Sequence, residues 1–340
     1  ENKKLIISLL LSLMLAASLC ACKTEVNLDA GSGHRILKKE DAKKFNLEKA
    51  SVQAIKKIEI TTRIADIEIM QADDYYVEIN YLYWDEEPAY KLENGKLTFN
   101  DEKSIPKSYS INFDPQNAIK VYLPENAPVD RISLHNSSGN VTLSGFLADN
   151  LKTSLSYGDL TMSDCAAVTA VIELSSGQSI ISNFHVGELN YSNSYGDLSL
   201  SSVNIGESRL PEGVSFDKID IRMSGGDTDI ANVYVKGLKI SNSYGNVNCR
   251  GISADSLDAR LSSGYLNIET ADLNDAVLAN SYGDIRLELL GRMQDYSFDL
   301  DTSYGQIMVD GKIYDNHAVI DNDTDKNLSA SLSRGDMRVT

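Results

Sequence analysis

Histidines, cysteines and acids are where a reaction would show first, and here their spacing points away from one. His34, His135, His185 and His317 share no HExxH, CxxC or paired-His arrangement, so nothing is laid out as a zinc or iron site. There is no Gly-rich phosphate loop between a strand and a helix, and no Gly-x-Ser-x-Gly elbow. Cys20 and Cys22 lie near the N-terminus, while Cys165 and Cys249 fall four repeats apart, about 19 Å in a strand stack and beyond disulfide reach. Both are expected as small core residues. Asp159, Asp197, Asp227, Asp284 and Asp336 each follow a glycine. A polysaccharide-cleaving site needs two or three acids or bases converging on one face, and the calcium-binding solenoids repeat Gly and Asp every nonapeptide. Here Asn or Gln often replaces the acid. The acids read as turn and surface residues, so we expect no enzyme, no cofactor and no metal; calcium at the post-turn acids stays open.

The residue with both a binding chemistry and a regular spacing is tyrosine. Tyr157, Tyr195, Tyr244, Tyr282 and Tyr304 each sit in a Ser-Tyr-Gly turn, and in the first four repeats Ser and Tyr alternate at that place. Alternating large and small residues can simply pack along a corner, or the rings can form an aromatic strip that receives sugars. Exposure separates the two.

The turns themselves recur ten times, ending at Gly139, Gly158, Gly177, Gly196, Gly226, Gly245, Gly264, Gly283, Gly305 and Gly335. Six of the nine steps are 19 residues and the others are 30, 22 and 30. A fixed period of this kind marks a repeat architecture. Two places after each glycine and two further on, the residues are mostly apolar, as in Val141 and Leu143, Leu160 and Met162, or Leu266 and Ile268. Seven and five places before it they are apolar again, as in Ile132 and Leu134 or Leu238 and Ile240. Alternation of this kind predicts two short strands per repeat, one entering and one leaving the turn. Ser occupies the place two before each glycine and predicts a hydroxyl ladder; Asn136, Asn193, Asn242 and Asn280, three before, predict an asparagine ladder. The fold expected is all-β: a parallel β-solenoid, β-helix-like, with coils of about 19 residues. Ten coils would make a rod on the order of 45–50 Å long.

Residues 50–118 alternate without the 19-residue period and are expected as an irregular β cap before regular repeats over 119–340. Asn94-Gly95 predicts a hairpin turn there. The long step between Gly196 and Gly226 contains Gly206 to Gly213, expected to bulge as a loop.

Residues 1–21 read as a signal peptide, with Lys3 and Lys4 before a Leu-rich run. Leu19-Cys20-Ala21-Cys22 resembles the bacterial lipoprotein signal, which makes Cys22 the expected lipidation site. A flexible tether is expected over 22–49, and one folded domain over 50–340. The net charge of −17 argues against nucleic acid as a partner.

Lys57-Ile58-Glu59-Ile60, Asp66-Ile67-Glu68-Ile69, then Lys120-Val121-Tyr122-Leu123-Pro124 lead into Ser138-Gly139-Asn140-Val141. In that order the segments resemble the bacterial "putative adhesin" domain family of unknown function, related to the head domain of "putative auto-transporter adhesins". The resemblance implies a β-helix-like solenoid on exported or surface-anchored proteins and carries no catalytic residues. The expectation is a cell-envelope lipoprotein, held at the membrane by its lipid, whose solenoid binds a cell-wall or host glycan or a surface protein. A structural or sensory protein with a protein partner is the alternative, and a polysaccharide-active enzyme the third.

Overall fold

The computed structural model describes residues 34–340; the signal peptide expected over 1–21 and the lipidation expected at Cys22 lie outside that range. The chain is all-β, and single 3-10 turns at Lys39–Asp41 and Met293–Asp295 are its only helical elements among the described residues. Along one side Val141 pairs in parallel with Leu160, Leu160 with Ser179 and Ser179 with Leu198, each 19 residues on. Leu198 then pairs with Thr228 across the 30-residue step, and Thr228, Val247, Leu266 and Ile285 continue at 19. Ile132, Leu151, Ala170 and Leu189 do the same on another side. We call each such repeat a rung. The residues at the two apolar pairs of places described above are buried, among them Ile132, Leu134, Val141, Leu143, Leu160, Met162, Leu266 and Ile268.

The rungs differ from the expected two short strands. Leu160–Ser176, Ser179–Tyr195 and Leu266–Tyr282 each run unbroken for 17 residues from one glycine turn to the next. They bend at a second corner six places after the glycine, where Asp164, Asn183, Asn232 and Thr270 take left-handed φ of 49–56°. Short polar side chains tolerate that conformation better than most, and no shared residue type marks the corner in the sequence.

At the first corner glycine is required for a second reason besides its conformation. Gly177 has φ 131°, and a Cβ there would collide with the carbonyl oxygen of Gly158 in the rung below. Gly196 stands in the same relation to Gly177. The corners stack too closely for any side chain.

The tether expected over 22–49 is corrected from residue 35 onward. Arg35–Leu37 pairs with Tyr109–Ile111, and Lys43–Ser51 pairs antiparallel with Tyr76–Tyr83. Leu37 is buried, Trp84 Nε1 donates to the Lys38 carbonyl at 2.8 Å, and Phe45 and Leu47 pack against the core. The lysines that hid this strand from a hydropathy reading, Lys43, Lys44 and Lys49, sit on a sheet edge, where charge discourages pairing with other chains. In the rest of this N-terminal part the strands pair at steps other than 19 residues. Ile58 and Ile67 lie beneath Ile132 and Val141 as a first rung, with Leu97 and Ile119 beneath them. Ala89–Glu93 and Lys96–Asn100 form the Asn94-Gly95 hairpin, with Asn94 at φ 52° and Gly95 at φ 74°.

At the other end the rungs leave chain order. Ala276 pairs with Leu328, and Leu328 in turn with Phe298; likewise Ile285 pairs with Met337, and Met337 with Ile307. Asn327–Arg334 and Met337–Val339 are therefore inserted between the rungs of Gly283 and Gly305. A rod in simple chain order is corrected to one in which the Gly335 rung lies beneath the Gly305 rung. The outer face of the Gly305 rung is already taken: His317–Ile320 and Lys312–Tyr314 pair antiparallel against it. That arrangement covers an open sheet edge and leaves the returning chain only the inner slot.

Candidate functional site: the tyrosine corner

The glycine corner is built by hydrogen bonds between rungs. Asn193 Nδ2 donates to the Gly177 carbonyl at 2.9 Å and its Oδ1 accepts the Tyr195 N–H at 3.2 Å. Asn242 and Asn280 repeat this with Gly226 and Tyr244, and with Gly264 and Tyr282. Asn136 bonds the Ala65 carbonyl in the same way. All four are buried, so each satisfies polar backbone groups that would otherwise be left unpaired. The asparagine ladder is thus present. The serine hydroxyl ladder is not: among the described residues no hydrogen bond links the hydroxyls two places before the glycines to one another.

A second ladder runs just after the glycine. Asp66 Oδ1 accepts the Asn140 N–H at 2.7 Å, Asn140 that of Asp159 at 3.0 Å, and Asp159 that of Gln178 at 2.8 Å. Asp197, Asp227, Asn246, Asp284 and Asp336 each accept from the equivalent residue one rung on. A turn-exit role was legible in the sequence; its partner in the next rung was not. One carboxylate oxygen of each of these acids is committed to the backbone.

The tyrosines that precede the glycines point out of this framework. Tyr157, Tyr195, Tyr244, Tyr282 and Tyr304 are 68, 72, 69, 58 and 72% exposed, so they do not fill a corner. Their order in the stack matters more than their order in the chain. Passing up the corner, the residues are Ser138, Tyr157, Ser176, Tyr195, Gly225, Tyr244, Ser263, Tyr282, Arg334 and Tyr304. Tyrosine therefore occupies every second rung without a break, because the inserted Gly335 rung places Arg334 between Tyr282 and Tyr304. The Arg334 guanidinium lies 5.8 Å from the Tyr304 ring centre. Thr302 Oγ1 bonds the Gly335 carbonyl at 3.4 Å, taking the part asparagine has elsewhere. Tyr265, just after Gly264, is a further exposed ring that the Ser-Tyr-Gly pattern did not flag.

Other candidates are less organised. Cys165 and Cys249 are buried and free, and burial pushes both thiols up to about 12, which keeps them unreactive. His185 is buried with Nε2 on the Ile205 carbonyl, and His135 is exposed. The hairpin over the last rung brings His317 Nδ1 to 2.7 Å from Asp301 Oδ1, with Asp299 nearby. Their donor atoms lie within 4.8 Å of one another, the one such grouping among the described residues. Sequence spacing could not show it, since the contact is made across two antiparallel strands. His317 and Asp301 side chains are more than half exposed, so no cleft there excludes water from a reacting bond. The excursion through Gly206 and Gly213 leaves its rung at the second corner, where Arg209 reaches the Asp164 carbonyl. It does not touch the tyrosine row.

The fold and this corner define an all-β repeat protein whose rungs are locked by asparagine and aspartate side chains and present exposed rings. The chain belongs to the Toastrack DUF4097 family, whose model matches residues 55–211 and 169–340. No curated protein matches it. Among solved structures it is similar to a "putative lipid binding protein" from Parabacteroides distasonis ATCC 8503, at 14% identity over 90% of this chain and 99% of that one, with a TM-score of 0.39. A "putative adhesin" from Bacteroides fragilis NCTC 9343 matches at 12% identity over 88% and 97%, with a TM-score of 0.34. A "putative adhesin" from Parabacteroides distasonis ATCC 8503 matches at 11% over 90% and 100%, with a TM-score of 0.36. No helix among the described residues is long and apolar enough to cross a membrane.

Proposed function

We propose that this chain is a non-catalytic binding module of the bacterial cell envelope. It is exported, lipidated at Cys22, and holds a β-solenoid of about 19-residue coils away from the membrane. Its ligand is a glycan of a cell wall or host surface, received on the tyrosine corner. The observation that carries this reading is the exposure of all five tyrosines, 58–72%, three of them, Tyr195, Tyr244 and Tyr282, on backbone held by buried asparagines. Flat aromatic rings held rigidly in solvent bring contact area with little loss of side-chain entropy on binding.

The test is retention of the protein on immobilised cell-wall and host polysaccharides, with newly formed reducing or unsaturated ends scored in the same samples. Retention without new ends, lost when Tyr195, Tyr244 and Tyr282 become Ser, supports the reading. New ends would make the protein an enzyme, and the Asp299, Asp301 and His317 cluster would be the place to look. No retention on any glycan points to a protein partner.

A further inference from the structure

The spacing of the tyrosine row specifies the ligand more closely. Adjacent strands lie about 4.8 Å apart, so rings on every second rung recur at about 9.6 Å. From Tyr157 to Tyr304 the row spans eight rung-to-rung intervals, roughly 38 Å. That the spacing survives the break in chain order is the telling point. In chain order Tyr304 follows Tyr282 directly, at the next glycine turn. Only the insertion of the Gly335 rung between them, which brings Arg334 to that place, restores the two-rung interval.

A single pyranose ring is about as long as one rung is high, and two joined rings match two rungs. In an extended β-1,4-linked chain each ring is turned over relative to its neighbour, so every second ring offers the same face in the same direction. An α-1,4-linked chain curls and keeps no such register. The flanks of the row decide the charge. Serines, half-buried or exposed, run along one side, and Asp159, Asp197, Asp227, Asp284 and Asp336 along the other. One oxygen of Asp159, Asp197, Asp227, Asp284 and Asp336 accepts a backbone N–H, which leaves the second to accept from a sugar hydroxyl. A row of carboxylates on a chain of net charge −17 repels uronate or sulfated polymers.

Resting on the glycan-binding reading above, we propose that the corner binds a neutral, extended β-1,4-linked glycan with one tyrosine under every second ring. The disaccharide, not the single sugar, is the unit in register with the protein. Each further ring pair that reaches another tyrosine binds as an intramolecular event, so affinity climbs in two-ring steps.

The experiment titrates the full chain, purified in mild detergent, with β-1,4-linked glucose and N-acetylglucosamine oligomers of increasing length. α-1,4-linked glucose oligomers and a polyuronate serve as comparison ligands. The expected result is binding to the β-1,4 series alone, with gains at every second added ring. Tyr195→Ser with Tyr244→Ser should weaken the longer oligomers by about tenfold or more, while the paired Phe substitutions keep most of the affinity. Unchanged thermal unfolding of both double variants establishes that the exposed positions are not needed for folding. Equal, tyrosine-dependent binding of α-1,4 or anionic chains, or gains at every added ring, would overturn the register proposal and leave the glycan module standing. No glycan binding, or binding indifferent to the tyrosines, would overturn both.

Discussion

Asn280 reaches from its own rung to the rung below, its Nδ2 donating to the carbonyl of Gly264 at 2.8 Å while its Oδ1 holds the N–H of Tyr282. The same side chain therefore ties two rungs together and sets the backbone under an exposed ring.

Replacing it with alanine leaves the half-buried Gly264 carbonyl without that donor. We expect Asn280→Ala to cost about 1–3 kcal/mol. In a stack of rungs the loss should be local before it is global, so amide hydrogen exchange is the measurement: protection should fall around 264 and 282 and hold around 141–177. Uniform protection throughout would refute the role given to Asn280.

Gly177→Ala meets both a left-handed backbone and the carbonyl of Gly158. It should lose upwards of about 2 kcal/mol. Gly213 also has a positive φ, 86°, but nothing lies within 4 Å of a Cβ there, so Gly213→Ala should cost about 1 kcal/mol or less. Urea unfolding of the two variants side by side checks the contrast; equal losses would show that stacking distance is not what demands glycine.

Asp101 is fully buried, its Oδ2 accepting from Thr62 Oγ1 and the Arg63 N–H at 2.8 Å and from the Tyr81 hydroxyl, its Oδ1 without a partner. Burial holds this carboxyl above the usual carboxylate range, against the opposing pull of those hydrogen bonds. A raised value means the folded state keeps the proton to higher pH than the unfolded chain does. Its contribution to stability is thus greatest below about pH 4 and declines as pH rises through the raised value. Asp101→Asn should remove that decline, so the stability of the variant relative to the parent should increase with pH across this window. Parallel pH profiles of unfolding would contradict it.

Much of this architecture can be read from the chain, and the limits have physical causes. The first corner was legible because stacking admits only glycine there, and the buried asparagines because an amide can donate to the rung below while accepting an N–H of its own rung. The second corner was not, because Asp164, Asn183, Ser202, Gly251 and Thr270 all take its backbone, and five residue types leave no periodic signal. The strand Lys43–Ser51 was masked by its lysines. The order of the last rungs could not be read at all, since Ser333-Arg334-Gly335 carries the same signature wherever it stacks. The aromatic row was visible as a list of tyrosines; its regular interval appeared only with the fold.

Deleting residues 327–340 should open the slot they fill. Ser297–Tyr304 would lose its parallel neighbour and Leu266–Tyr282 would expose an unpaired edge. We expect limited proteolysis to cut within residues 290–326 while 57–283 stays resistant, and size-exclusion chromatography to show self-association through the bared edge. A truncated chain that remains monomeric and equally resistant would overturn the topology.

The inserted rung also bears on biosynthesis. A chain that emerges N-terminus first can lay down its rungs one upon another as far as Gly283, but the segment around Gly305 then lacks the strand it pairs with in the folded molecule. It must wait, its hairpins made and its inner edge open, until residues 327–340 emerge and fill the gap. A chain stalled before residue 327 would thus keep an open strand edge, and the arrival of residues 327–340 closes it.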